Sequence, residues 1–160
     1  RMSRGLGDVY KRQAFTDAYI KKDYRWMQKA IKKMDILWLL CIPVLILMIL
    51  CSETIYRWWI GNSVSVPYSL SICIAVYVFF QTGGNIYIYL INGTSKVRIQ
   101  LVIYLLFALV AIPLMNYCCR NFGVEGVLIV PVVVFGLQAC IGRIQILKIV
   151  NGTAKGIWLK

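Results

Sequence analysis

Four residues spaced by four, Tyr77, Gln81, Asn85 and Tyr89, carry hydroxyl and amide groups through a stretch without a single charged side chain. A spacing of four returns a side chain to nearly the same side of an α-helix. The four therefore trace one broad polar face, which Asn92 extends. Phenols and amides donate and accept hydrogen bonds without formal charge. Such a face suits a hydrated path for a polar, uncharged substrate such as a sugar. The plainer reading of the same face is a set of hydrogen bonds between helices, each worth about 0.6 kcal/mol on average inside a membrane. Gly83 and Gly84, between the two amides, are expected to weaken the helix there, as in the discontinuous helices of transporters.

The element that must hold this face is Trp58–Ser95, 38 residues between Arg57 and Lys96 that include no Asp, Glu, Lys or Arg. Its part from Pro67 to Ile91 reaches about 37 Å as a helix, enough to cross a hydrocarbon core of about 30 Å with some tilt. A soluble domain of 160 residues has no use for such a segment.

Composition points the same way. The chain is 60% hydrophobic and 15% charged, with 18 Lys and Arg against 6 Asp and Glu. A nucleic-acid binder spreads basic residues over a polar surface. Here they are confined to gaps between uncharged runs, as expected of loops held at an anionic membrane surface. Membrane lipids are thus the expected partners, and nucleic acid is not. There is no His, which removes the commonest proton shuttle and metal ligand. Four of the six cysteines (Cys41, Cys51, Cys73, Cys140) fall inside expected spans, where they act as small hydrophobes. Cys118-Cys119 lacks the C-x-x-C spacing of zinc and redox sites. No paired carboxylates, nucleophile–base set or Gly-rich phosphate loop is present, so neither an enzyme nor a cofactor or metal site is expected. Asp17, Asp23, Asp35, Glu53 and Glu125 are read as lying in loops or at span ends, away from any intramembrane proton relay.

In chain order, Asp8-Val9-Tyr10-Lys11-Arg12-Gln13 resembles the translation of a transposase end sequence used in preparing DNA libraries. Residues 1–13 are therefore read as an adaptor scar and set aside. On that reading the chain is a fragment whose own N-terminal part is missing. Residues 14–35 place Ile20, Tyr24, Met27, Ile31 and Met34 on one helical face, with Lys22, Arg25, Lys29, Lys32 and Lys33 largely opposite. This describes an amphipathic helix in the headgroup plane, or one packed on its own protein. Residues 36–160 hold the spans, at about 36–52, 67–91, 99–119 and 127–147; the uncharged part of the last ends at Gly142, and the chain from Arg143 onward is read as a basic tail that overlaps the span's extension to Leu147. Pro43 is expected to kink the first span. Gly61-Asn62-Ser63 reads as a turn, and Gly136 with Cys140 as a small-residue contact. The expected fold is all-α, a polytopic membrane protein with four transmembrane helices after an amphipathic interfacial helix.

Four spans put both chain ends on one side. The loops on that side hold twelve basic residues and the opposite loops two, Arg57 and Arg120. The positive-inside rule then makes both ends cytoplasmic. Asn92-Gly93-Thr94-Ser95-Lys96 recurs as Asn151-Gly152-Thr153-Ala154-Lys155, 59 residues on. Helix termination by Asn and Gly accounts for the echo more simply than an internal repeat does.

Three groups of motifs, in this order and spacing, resemble bacterial polysaccharide flippases, the O-antigen-type branch of the multidrug/oligosaccharidyl-lipid/polysaccharide exporter superfamily. They are Ala14-Phe15-Thr16-Asp17-Ala18-Tyr19; Trp58-Trp59-Ile60-Gly61 with Val66-Pro67-Tyr68-Ser69-Leu70; and Leu90-Ile91-Asn92-Gly93 with Lys96-Val97-Arg98-Ile99-Gln100. The resemblance covers roughly residues 14–150. It implies helices nine to twelve of a two-lobed transporter in the bacterial inner membrane, moving an undecaprenyl-diphosphate-linked oligosaccharide from the inner to the outer leaflet. The family's substrate-neutralising and ion-coupling charges match no residue here. A multidrug exporter of the same superfamily fits the uncharged polar face less well. An integral-membrane polysaccharide polymerase or ligase would want a large, charged outer loop. A self-contained four-helix scaffold would require residues 1–13 to be native.

Overall fold

The computed structural model describes residues 13–61 and 66–159. The adaptor reading of residues 1–12, the Asn62-Ser63 part of the expected turn and Lys160 lie outside the described residues. Within them the chain is all-helical, without a strand.

Helix α1, over its described part, is residues 13–20. It ends at Lys22, whose φ of 55° lies in the left-handed region. Asp23 then caps helix α2 (Tyr24–Leu39), its carboxylate accepting from the Trp26 N–H at 3.1 Å. Ile20 is thereby separated from the apolar stripe expected of this segment. Met27 and Ile31 are buried, whereas Ile20 is 71% exposed.

The expected boundary at Asp35 is not a boundary. Helix α2 runs through it to Leu39, and after the single residue Leu40 the chain continues as α3 (Cys41–Ile60). Leu40 keeps near-helical angles, φ −66° and ψ −14°. The interruption thus falls three residues before Pro43, where the proline ring presses on the preceding turn and removes its hydrogen bond. Tyr24–Ile60 forms one 37-residue helical stretch, long enough and over part of its length apolar enough to cross a membrane. At about 1.5 Å per residue that is about 55 Å, well beyond a hydrocarbon core, so its basic first third extends past the apolar layer.

Helix α3 closes at Gly61, whose φ of 79° is a left-handed conformation open to glycine. Pro67, extended at ψ 137°, precedes α4 (Tyr68–Thr94). Helix α4 runs unbroken through Gly83 and Gly84, and ends at Ser95 with φ 61°. Helix α5 (Arg98–Phe122) is joined to α6 (Val124–Val150) by Gly123 alone, again at positive φ (66°). Both continue through an internal proline, Pro113 and Pro131. A last 3₁₀ turn, Gly156–Leu159, follows. Arg143 therefore belongs to α6 rather than to a basic tail. The four candidate spans are Tyr24–Ile60, Tyr68–Thr94, Arg98–Phe122 and Val124–Val150.

Helices α4 and α6 run parallel and in register. Ser69 bonds Glu125, Phe80 faces Gly136 and Tyr87 faces Gly142, offsets of 55 or 56 residues. The echo of 59 residues is thus out of step with the packing. In the first copy Asn92 lies inside α4; in the second Asn151 caps α6. That is what simple helix termination produces. The α2–α3 stretch lies antiparallel to α4, with Tyr56 of α3 near Ser71 at one end and Trp38 of α2 on Phe79 further along. The core sits where α1 and α2 meet the ends of α4 and α6: Met27, Ile31, Tyr87, Ile91 and Ile146 are each 2% exposed or less.

Candidate functional site

The polar face of α4 divides in the structure. The Gln81 Nε2 donates to the Tyr77 hydroxyl at 2.8 Å, and the Tyr77 ring packs edge-on against Phe135 of α6, centroids 5.9 Å apart. Asn85 and Tyr89, further along the same helix, are exposed, Tyr89 by 53%. The face therefore starts beside the α4–α6 seam and turns outward, with its two lower members free of that seam. Asn92, half-buried, continues it into a cavity of about 500 Å³ shared with Val97, Gln100, Leu101, Tyr104 and Leu105. The Gln100 Oε1 is buried there without a hydrogen-bond partner among the described residues.

Gly83 and Gly84 serve packing rather than discontinuity. A Cβ on Gly83 would fall 2.4 Å from the Trp38 ring, and one on Gly84 would meet Phe135 at 3.3 Å. Trp38 lies flat on Phe79, centroids 4.7 Å apart, and its indole N–H donates to the Phe79 carbonyl at 2.8 Å. That carbonyl sits one turn before Gly83, so the missing side chain opens the space the indole fills. Between α6 and α4 the close approach is at Gly142, where a Cβ would lie 2.8 Å from the Tyr87 Cβ. The small-residue contact expected at Gly136 and Cys140 is looser: Gly136 has Phe80 at 3.5 Å, and Cys140 is exposed.

Behind the polar face lies a cluster that inspection of loops and span ends does not find. The Tyr87 hydroxyl of α4 donates to one oxygen of Asp35 in α2. Arg143 of α6 donates to the other, from Nη2 at 3.0 Å and Nε at 3.3 Å. Tyr87 and Arg143 are each the twentieth residue of a 27-residue helix, which sets them at one level. The Asp35 side chain is 18% exposed and that of Arg143 51%. One carboxylate thus ties three helices, with both oxygens satisfied by charge-assisted or short hydrogen bonds. A sequence signal existed: one acid and one base bordering uncharged runs at equal depth, where unpaired charge is costly.

Further polar contacts hold the same end together. The Gln145 Nε2 donates to the Lys96 carbonyl at 2.8 Å, and the Gln28 Nε2 to Asn151 Oδ1 at 3.0 Å. Gln138, 1% exposed within the seam, leaves its Oε1 without a partner among the described residues. No group of three or more His, Cys, Asp or Glu able to hold a metal ion occurs among the described residues.

Four long apolar helices, two of them burying one residue each while displaying leucine and isoleucine outward, define a multi-pass membrane protein. Comparison with family models, curated proteins and solved structures returns no match.

Proposed function

We propose that the chain is part of a bacterial flippase that carries an undecaprenyl-diphosphate-linked oligosaccharide across the cytoplasmic membrane for surface polysaccharide synthesis. The observation that supports this most directly is the uncharged polar face of α4. Tyr77, Gln81, Asn85 and Tyr89 run down a membrane-spanning helix, and the last two stay exposed once this chain's own helices are packed. Hydroxyl and amide groups match the hydrogen-bonding pattern of a glycan while imposing no charge requirement on it. Motifs at Ala14–Tyr19, Trp58–Gly61 with Val66–Leu70, and Leu90–Gln100 resemble the second lobe of that family. The missing first lobe would supply the charges that meet the diphosphate and couple transport to an ion.

On this reading Asn85 and Tyr89 face the first lobe across a hydrated path, and the many lysines at the Lys96 end lie in the cytoplasm. The inner membrane is the location, with no enzymatic step. The test uses the full-length protein in a bacterium whose own flippase gene is deleted. Gln81→Leu with Asn85→Leu is expected to abolish restored surface polysaccharide at normal membrane abundance. Full restoration by that variant overturns the pathway, and failure of the unaltered protein in strains making several different glycans overturns the flippase. Reporter fusions at Lys96 and at the carboxyl terminus are expected to report the same, cytoplasmic side.

A further inference from the structure

A cavity of about 380 Å³ opens where α1 and α2 lean on the end of α4. Its floor is apolar: Phe15 and Leu90, both buried, with Ala30 and Met34. Trp26 forms part of the wall, its ring 6.4 Å from that of Phe15. Two cations line the same opening, Lys29 and Lys33, one helical turn apart on α2. Among the described residues neither takes part in an ion pair, and the one acid within α2, Asp35, is engaged by Arg143 and Tyr87. The level matters as well. Lys33 lies three residues before the uncharged run that begins at Ile36, and Leu90 four before the end of α4. The cavity therefore sits at the boundary of the apolar layer, its greasy floor beside two unpaired ammonium groups.

We propose that this cavity is a binding site for one anionic phospholipid of the surrounding bilayer, its phosphate held by Lys29 and Lys33 and the start of an acyl chain laid on Phe15 and Leu90. Charge decides between occupants. Residues 1–12, an alternative occupant from the chain itself, carry Arg1, Arg4, Lys11 and Arg12 against Asp8 alone, so two lysines repel that segment. A zwitterionic lipid brings no net charge, and a soluble anion makes no use of the apolar floor. The site owes nothing to the transport reading and would stand if that reading fell.

The test is native mass spectrometry of the detergent-solubilised chain titrated with phosphatidylglycerol or phosphatidylcholine. One phosphatidylglycerol is expected to remain bound in preference to phosphatidylcholine. Each lysine should contribute about fivefold to that preference, from about 1 kcal/mol per basic residue near an anionic headgroup. Lys29→Gln with Lys33→Gln should remove most of it. Lys22→Gln with Lys32→Gln, which lowers the net charge equally at exposed positions outside the cavity, should leave it intact. Ala30→Leu, which fills the cavity and keeps both lysines, should also displace the lipid, and guards against misfolding of the charge variant. Equal loss in the two double variants would make the attraction diffuse and overturn the site. So would unchanged binding in Ala30→Leu, or a tenfold gain in phosphatidylglycerol binding on removing residues 1–12.

Discussion

Helices α4 and α6 and helices α3 and α5 all cross the same apolar layer, yet they are built to different ends. Helices α4 and α6 bury nine residues each, whereas α3 buries Ser52 alone and α5 Cys118 alone. The difference follows side-chain size and polarity rather than greasiness. The seam uses Gly84, Gly142, Ala139, Gln138 and Gln145, while the outer pair displays Leu47, Leu50, Leu109 and Ile112 at 61–80% exposure. In lipid, association gains little from hiding apolar surface, because the tails are as apolar as leucine. Close backbone approach and hydrogen bonds decide which helices meet.

The sharpest way to break this contrast is to shorten one apolar side chain in each region. Ile146 has no exposed surface, and Ile146→Ala is expected to cost about 2–4 kcal/mol through the cavity it leaves. Leu109, 70% exposed on α5, should change stability by less than about 0.5 kcal/mol as Leu109→Ala. Unfolding in mixed micelles at rising denaturing-detergent fraction, read by helical circular dichroism, measures both. Equal costs would mean that α5 is packed against something the outward leucines do not reveal.

Glycine sharpens it next, because the seam's two glycines on α6 differ in clearance. Gly142→Ala puts a methyl 2.8 Å from the Tyr87 Cβ, an atom that moves only with its backbone, and should cost about 1–3 kcal/mol. Gly136→Ala meets the Phe80 ring at an ordinary 3.5 Å and should be neutral or slightly stabilising, since alanine is the better helix former. The same measurement applies, and a costly Gly136→Ala would move the tight crossing away from Gly142.

How much of this was legible beforehand follows from the same physics. The four spans were, because uncharged runs of 16 to 38 residues admit few other readings. Gly61 likewise stands where a helix ends, whereas α4 runs on past the end expected at Ile91, through Asn92 and Gly93 to Thr94. What could not be read was which face of each helix meets which neighbour. Glycines 83 and 84 are a weak point on a helix by itself, and become a seat only once Trp38 arrives from another helix. Asp35 and Arg143 each border an apolar run, and their pairing needs the third dimension. Of the polar face, the spacing was readable, but not that Tyr77 and Gln81 bond each other while Asn85 and Tyr89 face outward.

The Asp35 cluster tests whether the seam's stability spreads to α2. Asp35→Asn keeps the shape but removes the charge that faces Arg143, and should cost about 1–2 kcal/mol. The full penalty of a buried broken pair, about 3–5 kcal/mol, does not apply, because Arg143 is half-exposed and can reach toward headgroups. Tyr87→Phe, losing one hydrogen bond, should cost about 1 kcal/mol. Additive losses in the double variant would mean that the hydroxyl and the guanidinium act on the carboxylate separately.

The smallest effect separates two glutamines that look alike in sequence. Gln145 and Gln138 are both 1% exposed on the seam face of α6. Gln145 donates to the Lys96 carbonyl at 2.8 Å, closing the turn between α4 and α5 onto α6. Gln145→Met leaves that carbonyl without this donor and should cost about 1 kcal/mol. Gln138 has an acceptor with no partner, so its amide carries a desolvation cost that nothing among the described residues returns. Gln138→Met, similar in volume and without the orphaned oxygen, should be neutral or stabilising by up to about 1 kcal/mol. A clear loss in Gln138→Met would mean that its oxygen meets a donor in the membrane-embedded protein, placing a water or a partner group within the α4–α6 seam.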